Sequence, residues 1–461
     1  MDPLKDNPNK ALIAMSVPIA LGMLSTFLFQ VVDTYFVGQL GGDALTALSF
    51  ASTLYFLLVG LFIGLAVGVS ILIGRAAGAG EGKQVKQITF IALGVSLLFT
   101  EVLAILGISS LSALFSVMGA EANVLPLIQN YLRPLLYGMP LLTLGLIAGG
   151  ILRATGRVLQ PELLMVLAGV INLVLDYGLI FGKWGFPSLG IKGAALATVF
   201  SWMVVFLGMM GLLLKEGLLH IRFPPWPQWR KIIGQIASLS IPTVVSQMIG
   251  PLTLIYLTFL LARESAEAVA AFGVAGRIET LLMIGILGVS TALTPFIAQN
   301  VGARRRERVE QAIVFGGKAS TYLGIAVAAI LFVTIRPMAT LFSENPTIVK
   351  QTSQYFYIVS LSYCLYGLYL VTAAIFNGLA LTMEALRISF AKSFFFTIPL
   401  TWIASYWGVV GIFAGVSFSN LLAGVFAAWR MRKELDRVDS QLLNEPVLHT
   451  YWKDFKSLLN N

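Results

Sequence analysis

Long apolar runs separated by short polar loops follow one another along almost the whole chain. About twelve of these runs reach roughly twenty residues or more, the length that an α-helix needs to cross a bilayer, whereas a barrel strand needs only about ten. Backbone groups in lipid have no water to bond, so each run is predicted to be a helix. The predicted spans are 11–38, 44–73, 88–108, 121–150, 160–182, 190–214, 232–262, 267–297, 311–335, 347–376, 383–406 and 409–430.

The spans form two copies of one unit. The stretch Ser16–Pro18 returns as Ser240–Pro242, and Gly64 returns as Gly288, in both cases 224 positions later. A constant shift through proline and glycine positions indicates an internal duplication, which is the usual architecture of transporters. Six spans per copy give both copies the same orientation, so a pseudo-two-fold axis along the membrane normal is expected.

The predicted organisation follows from the duplication and from the polar stretches. It places an N-lobe at 1–214, a proline-rich cytoplasmic lobe linker at 215–231, a C-lobe at 232–430 and a cytoplasmic C-terminal tail at 431–461. Prolines make the linker stiff and non-helical. The tail mixes charged and apolar residues, which indicates an interfacial helix or a partly disordered end.

Composition and charge agree with a membrane protein. The chain is 57% hydrophobic and 11% charged, with a mean hydropathy of +0.85, whereas soluble proteins carry about a quarter charged residues. Its excess of Lys and Arg lies in the loops of one side, which predicts an inner (plasma) membrane protein with both termini cytoplasmic. This one-sided placement also argues against nucleic-acid binding.

Cysteine and histidine are almost absent, which limits the chemistry of the chain. Cys364 is the only cysteine, and the two histidines, His220 and His449, lie in hydrophilic stretches. A disulfide within the chain, a thiol-based metal site and a buried histidine site are therefore not expected. No catalytic residue and no cofactor are predicted, and a membrane-embedded enzyme is disfavoured.

Two carboxylates inside predicted spans are the main candidates for function, because charge within a bilayer is costly. Asp33 lies in span one and Asp176 in span five, where Asn172 precedes it by four residues and shares its helix face. Thr198 in span six could face them. These oxygen ligands suit a proton or Na⁺, and two close carboxylates in a low dielectric resist a second ionisation. The alternative is that each acid lies near a helix end and is merely solvated.

Other embedded polar residues have open roles. Glu279 could line a C-lobe cavity, or it could be a structural partner of Lys318 or Lys392. Further candidates for cavity lining are Gln30, Tyr35, Tyr137 and Arg277. Pro18 interrupts span one and bends it, either as a hinge or as a static kink.

Several motifs together resemble the multidrug and toxic compound extrusion (MATE) family over about residues 10–430. They are Ser16–Pro18, Val32–Gly38, Gly78–Gly80, Leu152–Gly156, Asn172–Asp176, Gly193–Thr198 and Gln299–Ala303. The resemblance implies two six-helix lobes in a V shape around a central cleft. It also implies export of amphipathic organic cations against entering H⁺ or Na⁺, and we expect the ion to be H⁺. The expected partners are small organic cations or other amphipathic drugs and the lipid bilayer, and the protein is expected to be a monomer.

The resemblance also assigns roles to individual residues. The ion-site residues of the DinF-type branch match Asp33, Asn172, Asp176 and Thr198, and the proline that bends its first helix matches Pro18. The NorM-type branch has a cation-binding acid on span seven, and the corresponding stretch 247–252 has none. This departure favours the DinF-type branch.

One alternative from the same superfamily is a lipid-linked oligosaccharide flippase. Such a protein needs a cationic central cavity for a pyrophosphate. Only Arg133 and Arg277 are candidates for that cavity, since the embedded charges of the first lobe are mainly acidic.

Overall fold

The regular structure of the described residues is helical throughout. The computed structural model describes residues 3–220 and 225–442, and its side chains are described as far as residue 435. The α-helices are α1 (Pro8–Gly38), α2 (Gly42–Gly78), α3 (Gly82–Val117), α4 (Leu125–Ala154), α5 (Leu159–Phe181), α6 (Ile191–Lys215), α7 (Trp226–Ala262), α8 (Ala266–Gly302), α9 (Arg306–Phe342), α10 (Pro346–Val359), α11 (Tyr363–Gly378), α12 (Thr382–Phe390), α13 (Ile398–Ala404) and α14 (Gly408–Leu442).

Among the described residues, eleven helical stretches are long and apolar enough to cross a membrane. The last of them, Thr382–Leu435, holds two crossings, because a helix of its 54 residues would be about 80 Å long. It breaks at Gly408, whose φ is +69°. Beyond the break α14 returns along α13, where a Cβ placed on Gly415 would lie 3.0 Å from the Thr401 Cα. The predicted all-α membrane architecture with about twelve spans is confirmed.

Several helices extend beyond the predicted spans. α3 covers Gly82–Val117 and α9 covers Arg306–Phe342, so both continue into polar sequence at their ends. Hydropathy identifies the part of a helix that lies in lipid. The helix ends depend instead on capping and turn residues, which can lie outside that part. α7 begins at Trp226, so the prediction of a non-helical linker over 215–231 is wrong for residues 226–231. Pro227 lies in the first turn of α7, where proline is tolerated.

The C-terminal tail is described only in part. α14 continues to Leu442, so the first residues of the predicted tail 431–461 are helical. Residues 443–461, and residues 221–224 of the predicted linker, lie outside the described residues. The lobe boundaries themselves stay a prediction.

Two spans contain irregular turns. A 3₁₀ segment, Ser360–Ser362, separates α10 from α11 within one crossing, and a π-helical segment, Ala391–Thr397, separates α12 from α13 within another. The π-helix is rare and occurs frequently at functional sites.

The chain divides into two compact units. Within the described residues, the first runs to Leu252 and also includes Leu287–Arg304 and Asn377–Thr382. The second consists of Thr253–Ile286, Arg305–Phe376 and the chain from Met383 onward. The first unit therefore contains the amino-terminal part of α7 and the carboxy-terminal part of α8.

The duplication is visible in the packing of the first unit. A Cβ placed on Gly64 would lie 2.5 Å from the Val244 Cα, and one placed on Gly288 would lie 2.9 Å from the Ala20 Cβ. Gly64 and Gly288 are 224 positions apart, and so are Ala20 and Val244. One close contact is thus made twice, in each case where a helix of one copy meets a helix of the other, and glycine permits the approach.

A second pair of contacts repeats in the same way. The Gly78 Cα faces the Gln299 carbonyl, and the Gly302 Cα faces the Arg75 carbonyl. Arg75 and Gln299 are also equivalent positions, and each side chain donates to a backbone carbonyl. The Arg75 Nη2 donates to the Leu379 oxygen at 2.8 Å.

Candidate functional site

The two acids predicted from the sequence come together in the first unit. α1 packs along α5, which brings Asp33 and Asp176 within range of each other's charge. Asp176 is 1% exposed, and Asp33 is half-buried. In both residues Oδ1 is buried and has no hydrogen-bond partner among the described residues. A buried acceptor of this kind is costly, so the pair is suited to take up a proton or a cation.

An amide and a hydroxyl link the next two helices. The Asn172 Nδ2 on α5 donates to the Thr198 Oγ1 on α6 at 3.5 Å, at the long end of hydrogen bonding. Both side chains are half-buried. α5 therefore carries Asn172 and Asp176 one turn apart, as their spacing predicted, and Thr198 lies beside the first of them. Their role as an ion site stays a prediction.

Two tyrosines complete the surroundings of the acids, and sequence reasoning missed them as site residues. Tyr131 on α4 lies within electrostatic range of Asp33, Tyr55 and Asp176, and Tyr55 on α2 lies within range of Asp33. The Tyr55 ring stacks on Trp202, with centroids 6.1 Å apart and planes 3° from parallel. The phenols bring donors to the neighbourhood of the carboxylates without adding charge.

The second unit has a related cluster at equivalent positions. Glu279 stands 224 positions after Tyr55, and Tyr355 stands 224 positions after Tyr131. The Tyr355 hydroxyl donates to the Glu279 Oε2 at 2.8 Å. Where the first copy has Asp33, the second has Leu257 at the same shift. The duplication thus indicates where a polar cluster would form in each unit, and the two clusters differ in their charged members.

Of the two candidate lysine partners of Glu279, Lys392 is the one within its electrostatic range, and Lys318 is exposed. The remaining candidates for cavity lining are also exposed: Gln30, Tyr35, Tyr137 and Arg277. They stay predictions, and so does the lining role of Glu279.

Pro18 lies within an unbroken helix. α1 runs from Pro8 to Gly38, and Pro18 cannot donate the backbone bond to the Ala14 carbonyl. One conformation of α1 is described, so hinge bending at this residue stays a prediction.

Comparison with known proteins places the chain in a family. The family model described as MatE matches residues 18–178 and 242–403, and the second match begins 224 positions after the first. The chain is 34% identical to a protein of Shewanella oneidensis named "FAD transporter", over 90% of this chain and 92% of that protein. It is 28% identical to the "Probable multidrug resistance protein YoeA" of Bacillus subtilis, over 87% of this chain and 88% of that protein.

Solved structures show the same fold. The MATE transporter VcmN of Vibrio cholerae "in the bent form" superposes with a TM-score of 0.88 and 26% identity, covering 94% of this chain and 98% of that one. A crystal structure of "MATE in the straight conformation" gives a TM-score of 0.89 with 25% identity, over 95% of this chain and 98% of that one.

Proposed function

The chain belongs to the MatE family and is a membrane transporter rather than an enzyme, and we propose that it exports amphipathic organic cations in exchange for an entering cation, with H⁺ favoured over Na⁺. Relatives that are named multidrug resistance proteins support this class of substrate. We also propose that the protein lies in the plasma membrane, that both termini are cytoplasmic and that it belongs to the DinF-type branch.

One observation carries the proposal for coupling. Asp33 and Asp176 interact electrostatically, and each has a buried Oδ1 without a hydrogen-bond partner among the described residues. A single proton shared by the two carboxylates would supply the missing bond and reduce the buried charge at the same time. Na⁺ would bind through the same oxygens, with Asn172 and Thr198 as further ligands. H⁺ is favoured because it needs no further ligand.

The proposed transport cycle uses α1 as the moving part. When Asp33 loses its negative charge, it no longer needs hydration. α1 then repacks by bending at Pro18, and this movement gives alternating access. If binding the proton is worth about 2.7 kcal/mol more in one conformation than in the other, the ratio of the two changes about a hundredfold. Similar proteins have been solved in forms described as bent and straight, which supports two conformations in the proposed cycle.

Transport by the purified protein in liposomes tests this function. An outward-directed H⁺ gradient should drive ethidium accumulation by wild type, and Asp33→Asn and Asp176→Asn should each abolish it at equal protein content. If ethidium transport depends on a Na⁺ gradient and not on the H⁺ gradient, the coupling ion is Na⁺ and not H⁺. Lack of ethidium movement under both gradients would reject the organic-cation exporter.

A second candidate substrate rests on the relative that is 34% identical. That protein is named a transporter of flavin adenine dinucleotide, a ligand that combines aromatic rings with a negatively charged diphosphate. Competition between the dinucleotide and ethidium for transport would distinguish one shared pathway from two.

The flippase alternative would instead require Arg133 or Arg277 to bind a lipid pyrophosphate. A test is whether charge-removing substitutions there stop movement of a labelled pyrophosphate lipid.

A further inference from the structure

Lys392 is a positive charge in the middle of a membrane span. It is the eleventh residue of the crossing that runs from Thr382 to Ala404, about halfway along it. A lysine at this depth is costly in lipid, and such residues face protein or a water-filled cavity and mark functional sites. Lys392 is half-buried, and coupling at Asp33 and Asp176 makes no use of it.

Two tyrosines form a platform under the Lys392 ammonium group. The Nζ lies 5.1 Å from the Tyr366 ring centroid and 5.7 Å from that of Tyr369. The two rings are nearly parallel, with an angle of 12° and a centroid separation of 6.1 Å. The Tyr369 hydroxyl donates to the Ser389 Oγ at 3.0 Å, which fixes one edge of the platform. Tyr366 and Tyr369 are both half-buried, so part of each residue is exposed.

The backbone that carries Lys392 has an unusual conformation. Lys392 is the second residue of the π-helical segment Ala391–Thr397, and the Thr397 hydroxyl donates to the Lys392 carbonyl at 2.9 Å. π-helical turns are rare, and they occur frequently at functional sites. Lys392 therefore lies on a type of segment that is often associated with function.

The nearby acid does not neutralise Lys392 directly. Glu279 lies within electrostatic range of Lys392, but among the described residues no carboxylate is within ion-pair distance of the ammonium group. Glu279 accepts a hydrogen bond from Tyr355 instead. The ammonium group therefore has cation–π contacts and no carboxylate in ion-pair contact among the described residues, and an anionic ligand would be a stronger partner than a ring face.

We propose that Lys392, Tyr366 and Tyr369 form a binding subsite for a ligand that joins an aromatic ring to an anionic group such as a phosphate. The ring stacks on the open tyrosine surface, and the anionic group binds the ammonium group. The subsite lies about halfway along a membrane span, and transporters bind their substrates near the bilayer midplane. The inference deepens the second candidate of the proposed function: it rests on transport through this protein and provides a subsite for the anionic aromatic substrate.

Binding measurements on the purified protein test the subsite, with flavin adenine dinucleotide and riboflavin as fluorescent probes. Riboflavin has the same ring system and no phosphate. Lys392→Gln should weaken dinucleotide binding at least about tenfold, because a charge-assisted bond is lost, and should leave riboflavin binding within about twofold. Lys392→Arg should restore dinucleotide binding. Lys318→Gln, which removes an exposed lysine of the same unit, should bind both probes like wild type.

A second variant tests the platform. Tyr366→Leu should weaken binding of both probes, because both use ring stacking. The subsite is refuted if Lys392→Gln binds the dinucleotide like wild type, if it loses both probes equally, or if wild-type protein that exports ethidium binds no dinucleotide. If ethidium is not exported while dinucleotide binding still depends on Lys392, the subsite stands and organic-cation export fails.

Discussion

Asp33 on α1 and Asp176 on α5 interact electrostatically, and each has one carboxylate oxygen that is buried without a hydrogen-bond partner among the described residues. α1 also contains Pro18, fifteen positions before Asp33. A change in the protonation of Asp33 therefore acts on α1, the helix that lacks the backbone hydrogen bond at Pro18. This connection between charge and helix shape is the basis of the proposed coupling.

Replacing Asp33 by Asn should abolish drug export, because the amide side chain does not bind and release a proton as a carboxylate does. Cells that produce Asp33→Asn should be as drug-sensitive as cells without the transporter, at equal amounts of protein in the membrane. Asp43→Asn is the matched control, since Asp43 is exposed at the start of α2 and contacts Asn123. Full resistance with Asp33→Asn would remove Asp33 from the mechanism.

The Asn172–Thr198 contact should contribute to coupling but should not be essential. Thr198→Val removes the hydroxyl that accepts from Asn172, and a neutral hydrogen bond is worth about 0.5–1.5 kcal/mol. We therefore expect a transport rate that is lower by about two- to tenfold. The effects of Thr198→Val and Asn172→Ala should be less than additive in the double variant, because both remove the same contact. Fully additive effects would show that the two residues act separately.

Substituting Pro18 by Ala should slow transport without unfolding the protein. Alanine restores the backbone bond to the Ala14 carbonyl and favours a straight α1. The transport rate of Pro18→Ala is compared with that of Pro337→Ala, which removes an exposed proline from the interior of α9. Equal rates in both variants and wild type would leave Pro18 as a static kink.

Adding a methyl group at Gly64 should destabilise the protein. An alanine Cβ would lie 2.5 Å from the Val244 Cα, and overpacking of this kind costs about 1–3 kcal/mol. Gly288→Ala should behave similarly, since it makes the equivalent contact with Ala20. Thermal unfolding of the purified variants measures the effect.

Gly94→Ala is the control for this prediction. No atom lies within 4 Å of a Cβ built there, so the substitution should be neutral or stabilise α3 by up to about 1 kcal/mol. Equal melting temperatures for Gly64→Ala and Gly94→Ala would contradict the close packing.

The number of spans and the duplication were predictable from the sequence because they depend on features that persist over many residues. Hydropathy runs identify spans, and the shift of 224 positions that links Gly64 to Gly288 reappears as one contact made twice. The spacing of Asn172 and Asp176 likewise predicted their common helix face. Helix ends were less predictable, since α3 and α9 continue into polar sequence.

The rest of the site depends on contacts between distant helices. Tyr55 and Tyr131 are uncharged, so nothing in hydropathy distinguishes them from other tyrosines, and only the fold brings them to Asp33. The duplication contained one indication that Tyr131 belongs to a polar cluster, because the equivalent residue, Tyr355, contacts Glu279. The π-helical turn that carries Lys392 has no sequence pattern of its own, so the platform of Tyr366 and Tyr369 was not predicted either.

Simultaneous recording of H⁺ and ethidium movement across liposomes tests the coupling most directly. The liposomes contain a pH-sensitive dye, and no gradient is imposed. When ethidium is added outside, wild type should take ethidium up and release H⁺ from the liposomes. In Asp33→Asn, neither ethidium uptake nor H⁺ movement should occur. Ethidium uptake by wild type without any H⁺ movement, or unchanged H⁺ exchange in Asp33→Asn, would contradict proton coupling through the acid pair.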